Sequence, residues 1–509
     1  MMNYQAFVDG QKVLAVAPAG HGKTYAIVKC LKYVNGKQLI LTHTHAGIAS
    51  IKDKIKNLNI PANSYNVETI SSFAQKYVTA FYAGDDTPDQ EDDLYHSFII
   101  NKATDIIKIL PVRDVLKTSY SGVFIDEYQD CTKLQHGLIL SLSELLPTRV
   151  LGDHMQGIFD FNDDLNNFPS DLIKNNFEQF PDLSTPYRWQ NSGRNSLGEA
   201  LKEIREKLEK GEPIDLVEYK KNKIILFCKT SSRDIYNPES ACRKWLNKLI
   251  YNPNNDEDFN SLLLIVPGYK EVIDGKEILR GGIGERKKIS QLYQPLLLIE
   301  AIDDKSFYSL AKKIDSLIND ISNDRKPYAK VLGLLIRIFK KTDLNIWIAK
   351  PSSIREDCYF KNKKNELDKI RVSRLQAVVD SFIRTPSAGN LYNIIKEITE
   401  EFGFKCARQS LLSSIIKSLE ESKFSHISIY EAMKNHRNLI RRTGRKIDGK
   451  CIGTTLLTKG LEFDTVAILD ADKFDCPKHL YVALTRCCKN LVIFSGNDKL
   501  LPRKALNSI

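Results

Sequence analysis

The sequence has no long apolar run. Its longest, such as Leu262–Pro267 and Pro295–Ile299, fall far short of the roughly 18–20 residues a membrane-crossing helix needs, so no membrane association is expected. Ten cysteines are present but no Cys-x-x-Cys pair, which argues against both a zinc module and a disulfide scaffold. The adjacent Cys487 and Cys488 read as structural thiols. The opening residues Met1-Met2-Asn3-Tyr4-Gln5 lack a basic stretch followed by an apolar one, so the expected location is the reducing cytoplasm. Internal repeats and low-complexity tracts are also missing. What remains is ordinary for a globular protein: 42% hydrophobic and 27% charged residues over 509 positions, too many for one core. Basic residues outnumber acidic ones, 74 to 63, a net +11 that suits a polyanionic partner and equally suits a merely basic surface.

Over the first 190 residues, short β-branched or apolar runs alternate with helical patterns. Lys12–Ala17, Gln38–Thr42, Gly122–Asp126 and Arg149–Asp153 read as strands, and Gly22–Tyr33 and Ala46–Leu58 as helices. Alternation of this kind predicts a parallel sheet with helices on its faces and ligands at the carboxyl ends of the strands. Further strands are expected at Ile224–Lys229, Leu262–Pro267, Lys450–Thr455, Thr465–Asp470 and Leu491–Ser495. From about Gln291 to Gly444 the pattern turns helical, with Tyr328, Val331, Leu332, Leu335 and Phe339 on one face and Leu391, Ile394, Ile395 and Ile398 on another. Asp85–Asp93 carries six acids in nine residues and reads as a solvated loop.

Two motifs carry chemistry. Ala17-Pro18-Ala19-Gly20-His21-Gly22-Lys23-Thr24 follows a strand and opens a helix. Small residues let a backbone wrap a phosphate chain, a lysine reaches its terminal phosphates, and a hydroxyl serves Mg²⁺. Ile125-Asp126-Glu127-Tyr128-Gln129-Asp130 ends a second buried strand. Adjacent carboxylates there are costly without a cation; Asp126 suits the metal and Glu127 the attacking water. Alone, such a pair is more often an exposed one, but a phosphate loop on the same sheet changes that balance. Gln156 could sense a γ-phosphate, and Arg188 and Arg486 could stabilise its developing charge, although each arginine alone is more often a surface ion pair.

The order of these segments resembles superfamily 1 DNA helicases of the UvrD/Rep/PcrA type. Ala17–Thr24 looks like the phosphate loop of that family, Thr42–Ala46 like its second motif, and Glu68–Phe73 like the third. Ile125–Asp130 and Gly152–Phe159 follow in order, then Tyr187-Arg188, Thr458-Lys459-Gly460-Leu461-Glu462-Phe463-Asp464 and Tyr481–Arg486. The resemblance implies an α/β fold of two RecA-like P-loop NTPase domains, with a small accessory insertion in the first and a helical insertion in the second. The implied limits are 1–75 and 111–182 for the first domain, 76–110 for its insertion, 183–290 and 445–509 for the second domain, and 291–444 for its helical insertion. ATP and Mg²⁺ are implied as cofactors. Ala19, Gly20, His21, Gly22, Lys23, Thr24, Tyr25, Glu462 and Gln5 would hold the nucleotide, with Asn3 a further candidate for its base, and Thr24 and Asp126 the metal. Glu127, Asp126, Gln156, Arg188 and Arg486 would act in hydrolysis. Thr42, His45, Ser72, Phe73, Phe159, Phe161, Thr458 and Lys459 would meet single-stranded DNA, with Phe159 and Phe161 stacking on bases.

The chain departs from that pattern along the DNA track. His45 stands where a lysine is usual, Phe161-Asn162-Asp163-Asp164 replaces a basic segment, and Leu456 replaces a polar residue. Intact ATP chemistry with a weaker DNA grip is the expectation. A basic run through Lys434, Arg437, Arg441, Arg442, Arg445, Lys446 and Lys450 could follow a phosphate backbone or simply face solvent. The compact layout is also similar to the helicase subunit of Gabija-type antiphage systems, which works with an OLD-family nuclease. Two readings result: a 3′→5′ helicase or translocase acting on single strands or tailed duplexes, and a nucleotide- and DNA-sensing ATPase that switches a partner nuclease.

Overall fold

The computed structural model describes Met2–Pro502 apart from residues 89–93, 160–167, 231, 253–254, 274–275, 302–303, 340–343, 345, 349–359, 362, 405, 407, 444–446 and 448. The chain divides into one unit of residues 1–282 and 446–509 and a second of 283–445.

The first unit holds two parallel sheets. One is built from β1 (Lys12–Val16), β2 (Gln38–Thr42), β3 (Tyr65–Thr69), β4 (Gly122–Ile125), β5 (Thr148–Gly152) and β6 (Glu178–Phe180), in the spatial order β3-β2-β4-β5-β1-β6. Every residue of β2, β4 and β5 is buried, as expected of central strands covered by helices on both faces. Pairing Val16 with Gly152 and Ile125 with Val150 brings the carboxyl ends of β1, β4 and β5 side by side. Polar residues at the carboxyl ends of β3 and β5 start the next element. Thr69 accepts a hydrogen bond from the Ser72 amide, and the Asp153 carboxylate accepts one from the Met155 amide.

Between β3 and β4 lie the helices Ile70–Phe81, Tyr95–Ile106 and Leu110–Ser119. Tyr95, Ile99, Ile100, Ala103 and Ile106 share a core with Leu14, Leu39 and Val123, so this insertion is a helical layer on the sheet. The acidic segment noted above falls partly outside the described residues, at 89–93.

Within this unit the other sheet runs in the order Lys450–Gly453, Leu262–Ile265, Phe463–Ile468, Cys487–Ser495 and Leu226–Lys229, these five all parallel. It carries the helices Ala241–Tyr251 and Pro477–Leu484. Two parallel sheets flanked by helices make the two-domain RecA-like architecture. Strands β3 and β6 and the exposed hairpin Tyr269–Ile273/Lys276–Arg280 were not expected from sequence.

The second unit is helical. Lys305–Asp320, Pro327–Ile338, Glu366–Arg384, Ala388–Glu400, Gln409–Ser425 and Ile429–Thr443 enclose one core. The expected stripes lie inside it: Val331 and Leu335 are fully buried, as are Leu391, Ile394, Ile395 and Ile398. Arg437, from the basic run, is buried over the Phe307 ring and so does not face solvent. The side chains of Arg441 and Arg442, and residues Arg445 and Lys446, lie outside the described set. Among the described residues no helix is long and apolar enough to cross a membrane.

Candidate nucleotide site

The loop after β1 is anchored from behind. Ala17 N–H donates to the Gly152 carbonyl at 2.8 Å, and Ala19 N–H is shared between Asp153 Oδ2 and the Tyr481 hydroxyl, each at 3.1 Å. Gly20 and Gly22 have φ of 74° and 80°, a region L-residues with side chains avoid. A Cβ on Gly20 would lie 2.6 Å from the Trp189 ring, and one on Gly22 3.2 Å from Tyr187. The segment Tyr187–Trp189 therefore packs directly on the phosphate loop. Trp189, buried, donates its indole N–H to the Cys487 carbonyl of the second sheet at 2.9 Å, and Arg188 N–H donates to the Gly20 carbonyl at 3.0 Å.

Lys23 opens the following helix with its ammonium 2.6 Å from Glu127 Oε2 and in no hydrogen bond to another described group. Thr24 Oγ1 donates to Asp126 Oδ2 at 3.4 Å. Glu127 sits at φ 55°, a left-handed conformation that costs a non-glycine residue on the order of 1 kcal/mol and that marks sites held by their surroundings. Gln129 fixes it from the other side: its Oε1 accepts from the Asp153 amide at 2.8 Å, which turns its Nε2 to donate to the Glu127 carboxylate.

Residues from segments around the strands of the second sheet face this cluster. Arg486 is buried and donates to Gln156 Oε1 at 3.1 Å, while Gln156 Nε2 donates to Asp153 Oδ2 at 2.9 Å. Arg188 pairs with Glu462 at 2.6 Å. Lys459, with 8% of its side chain exposed, pairs with Asp130, donates to the Gln156 carbonyl at 2.5 Å and lies 4.6 Å from the centre of the Phe159 ring.

Charge and burial compete throughout. Burial lifts Asp126 to about 6 despite Lys23, and lifts Asp130 to about 6 despite Lys459. Burial would also raise Glu127, but Lys23 and Lys459 outweigh it and hold that carboxyl down at about 2. For Lys23, burial is overcome by Glu127 and Asp126, which keep the ammonium charged. Burial, followed by repulsion from Arg188, pulls Arg486 down to about 10. His43, next to Thr42 and 3.2 Å from Cys131 Sγ, is lowered to about 4 by burial and by Lys459.

These residues fit a nucleoside triphosphate with a divalent cation. The glycine cradle has no room for a Cβ, the lysine is committed only to a carboxylate, and a hydroxyl and a carboxylate converge where a cation could bridge to phosphate. Among the described residues no three His, Cys, Asp or Glu side chains form a metal cluster, so any cation would need ligand oxygens in addition.

The base and DNA candidates fare differently. Gln5 is exposed and donates to Asp9 within its own helix at 2.8 Å, and Asn3 caps that helix by accepting from the Ala6 amide. Tyr25 is 41% exposed, and His21, buried, has Nδ1 2.8 Å from the Ala19 carbonyl. Phe73 is fully buried against Tyr77, which removes its ring from any DNA surface. Its place in the stripe Ile70, Phe73, Ala74, Tyr77, Val78 made that legible. Thr458 is fully buried, donating to the Thr454 carbonyl at 2.9 Å, and Thr42 is buried with its hydroxyl unpaired. Lys459 is committed to Asp130. Ser72, His45 and Phe159 are partly exposed, and Phe161 with the acids after it lies outside the described residues. Sequence reading missed Asp130, Asp153, Arg205 and Trp189. The first two sit in motifs already singled out, while Arg205, among alternating charges on the helix Asn195–Lys210, looks like an exposed residue.

Fold and site thus define a two-domain RecA-like P-loop protein. No protein-family model and no curated protein matches the chain. Among the solved structures that match, three align with low TM-scores. The Pif1 helicase of Candida albicans is 10% identical with a TM-score of 0.37 over 98% of this chain and 95% of that one. The arterivirus nonstructural protein 10 helicase is 10% identical with a TM-score of 0.28, and its complex with DNA is 16% identical with a TM-score of 0.21. Those alignments cover 97% and 36% of this chain, which spans 60% and 37% of the two arterivirus chains. Scores this low carry no argument about activity.

Proposed function

We propose that the protein is an ATP-dependent DNA translocase or helicase of the UvrD-like type, moving 3′→5′ on single-stranded DNA. One observation carries the reading. Lys23, Thr24, Asp126 and Glu127 of the first sheet face Arg486 of the second, with Gln156 held between Asp153 and Arg486. In this reading Lys23 leaves Glu127 for the terminal phosphates and frees that carboxylate to orient and deprotonate water. Mg²⁺, held by Thr24 and Asp126, would neutralise phosphate charge. Arg188 would exchange Glu462 for the γ-phosphate, leaving that carboxylate for the ribose, and Arg486 would complete the clamp. Closing and opening the cleft would then move the two sheets along a strand.

Displacement of a strand from a 3′-tailed duplex, with Glu127→Gln as control, tests this. Unwinding by the parent and none by the variant supports it; unwinding that survives Glu127→Gln refutes it.

The burial of Thr42, Phe73, Thr458 and Lys459 favours a second reading, in which DNA is sensed and hydrolysis switches a partner. A nuclease of the OLD family is the partner the compact layout suggests, in antiphage defence. An isolated chain that hydrolyses ATP but fails to unwind would favour this second reading.

A further inference from the structure

Asp153 is fully buried, and all its acceptor capacity is in use. Oδ2 accepts from the Ala19 amide of the phosphate loop and from Gln156 Nε2, and Oδ1 accepts from the Met155 amide at 3.2 Å. Its own amide orients Gln129 and, through it, Glu127. One residue therefore touches three parts of the site: its carboxylate holds the loop and the γ-phosphate sensor, and its backbone amide, through Gln129, the base. A buried carboxylate held only by neutral donors is expensive. The balancing cation comes from elsewhere. Arg205, 6% exposed, reaches from the helix Asn195–Lys210 and places Nη1 2.5 Å from Asp153 Oδ1 and 3.3 Å from the Tyr481 hydroxyl, with Nη2 3.1 Å from Glu209. That helix packs on Pro477–Leu484, the helix that ends just before Arg486.

We propose that Arg205 is a positioning residue for ATP hydrolysis: through Asp153 it holds Gln156 and the phosphate loop in register with the arginines of the second sheet. The inference rests on the ATPase reading above. Arg205 touches no reacting atom; it acts by keeping Asp153 ionised and in place. Lysine could retain the charge but not the fork that spans Asp153, Tyr481 and Glu209.

The test is a double-mutant cycle in steady-state ATP hydrolysis by the full chain, with Arg205→Gln made in the parent and in Gln156→Ala. Arg205→Gln is expected to lower kcat by about 10- to 100-fold, the loss typical of residues that orient a site from one layer out, with KM changed by less than about threefold. In the Gln156→Ala background the same change should cost clearly less, at most about fivefold, because the sensor it positions is already gone and only its hold on the phosphate loop is left to lose. Equal losses in both backgrounds, or parental kcat in Arg205→Gln, would overturn the proposal. Thermal melts accompany each variant. If Arg205→Gln does not fold, Arg205→Lys takes its place in the cycle, with a smaller expected loss and the same criterion. A parent that does not hydrolyse ATP refutes the functional reading; a parent that does, with additive losses, refutes only the role of Arg205.

Discussion

Lys459 and Asp130 join the two halves of the candidate nucleotide site by an ion pair with 8% and 6% of the side chains exposed. Removing only the cation, as in Lys459→Met, leaves a carboxylate buried without its partner. For such pairs the loss is about 3–5 kcal/mol, whereas replacing both partners by uncharged groups is often neutral. Asp130→Asn alone should cost less than Lys459→Met, since burial already brings that carboxyl to about 6 and its charge is the weaker partner's. Lys459→Met/Asp130→Asn should recover most of the stability, for a coupling of roughly 2–3 kcal/mol, about the upper end of measured pair couplings. Urea unfolding followed by tryptophan fluorescence reads the cycle, with buried Trp189 beside the phosphate loop as reporter. A cost below about 1 kcal/mol for Lys459→Met is what a solvent-exposed pair gives, and it would refute the cross-cleft placement. So would additivity in the double variant.

Arg188→Ala should reduce kcat by about 10³- to 10⁵-fold with little change in nucleotide affinity, if it supplies charge to the transition state; unchanged turnover excludes that role. Glu127→Gln should bind nucleotide as the parent does and lose about 10²- to 10⁴-fold in turnover, read by single-turnover hydrolysis. Gly20→Ala forces a Cβ to 2.6 Å from the Trp189 ring at φ 74° and should abolish nucleotide binding in a fluorescent-analogue titration; binding at parental affinity contradicts the cradle. His43 is neutral in the fold, with its proton affinity lowered to about 4, so its contribution to stability is complete above pH 6.5 and is lost as the pH falls toward 4. Between pH 7 and 5 the parent should lose about 2 kcal/mol relative to His43→Gln, and the opposite trend of Asp126 and Asp130 cancels in that difference. Parallel pH profiles for parent and variant would refute it.

Burial decides what the sequence disclosed. Gln38–Thr42 and Leu262–Ile265 are covered on both faces, and continuous apolar runs announce such strands. The edge strands Tyr65–Thr69 and Glu178–Phe180 face solvent on at least one side, as do Lys270, Glu277, Ile278 and Leu279 of the hairpin, so these segments carry no continuous apolar strand signal. Lys23, Thr24, Asp126 and Glu127 were singled out by residue type, in a loop after one buried strand and at the end of another, and the structure brings the four together. Arg205 was not, since its role comes from a contact with Asp153, 52 positions away. The DNA candidates show the reverse case: motif position singled out Phe73 and Thr458, yet both side chains lie inside, Phe73 on the buried stripe of its helix.

The central claim is that this cleft hydrolyses ATP and couples hydrolysis to DNA. Steady-state ATP hydrolysis by the purified chain, with and without single-stranded DNA and with Lys23→Ala as control, tests it most directly. The account predicts turnover that rises with DNA and disappears in Lys23→Ala; no turnover under either condition, or turnover that survives Lys23→Ala, would contradict it.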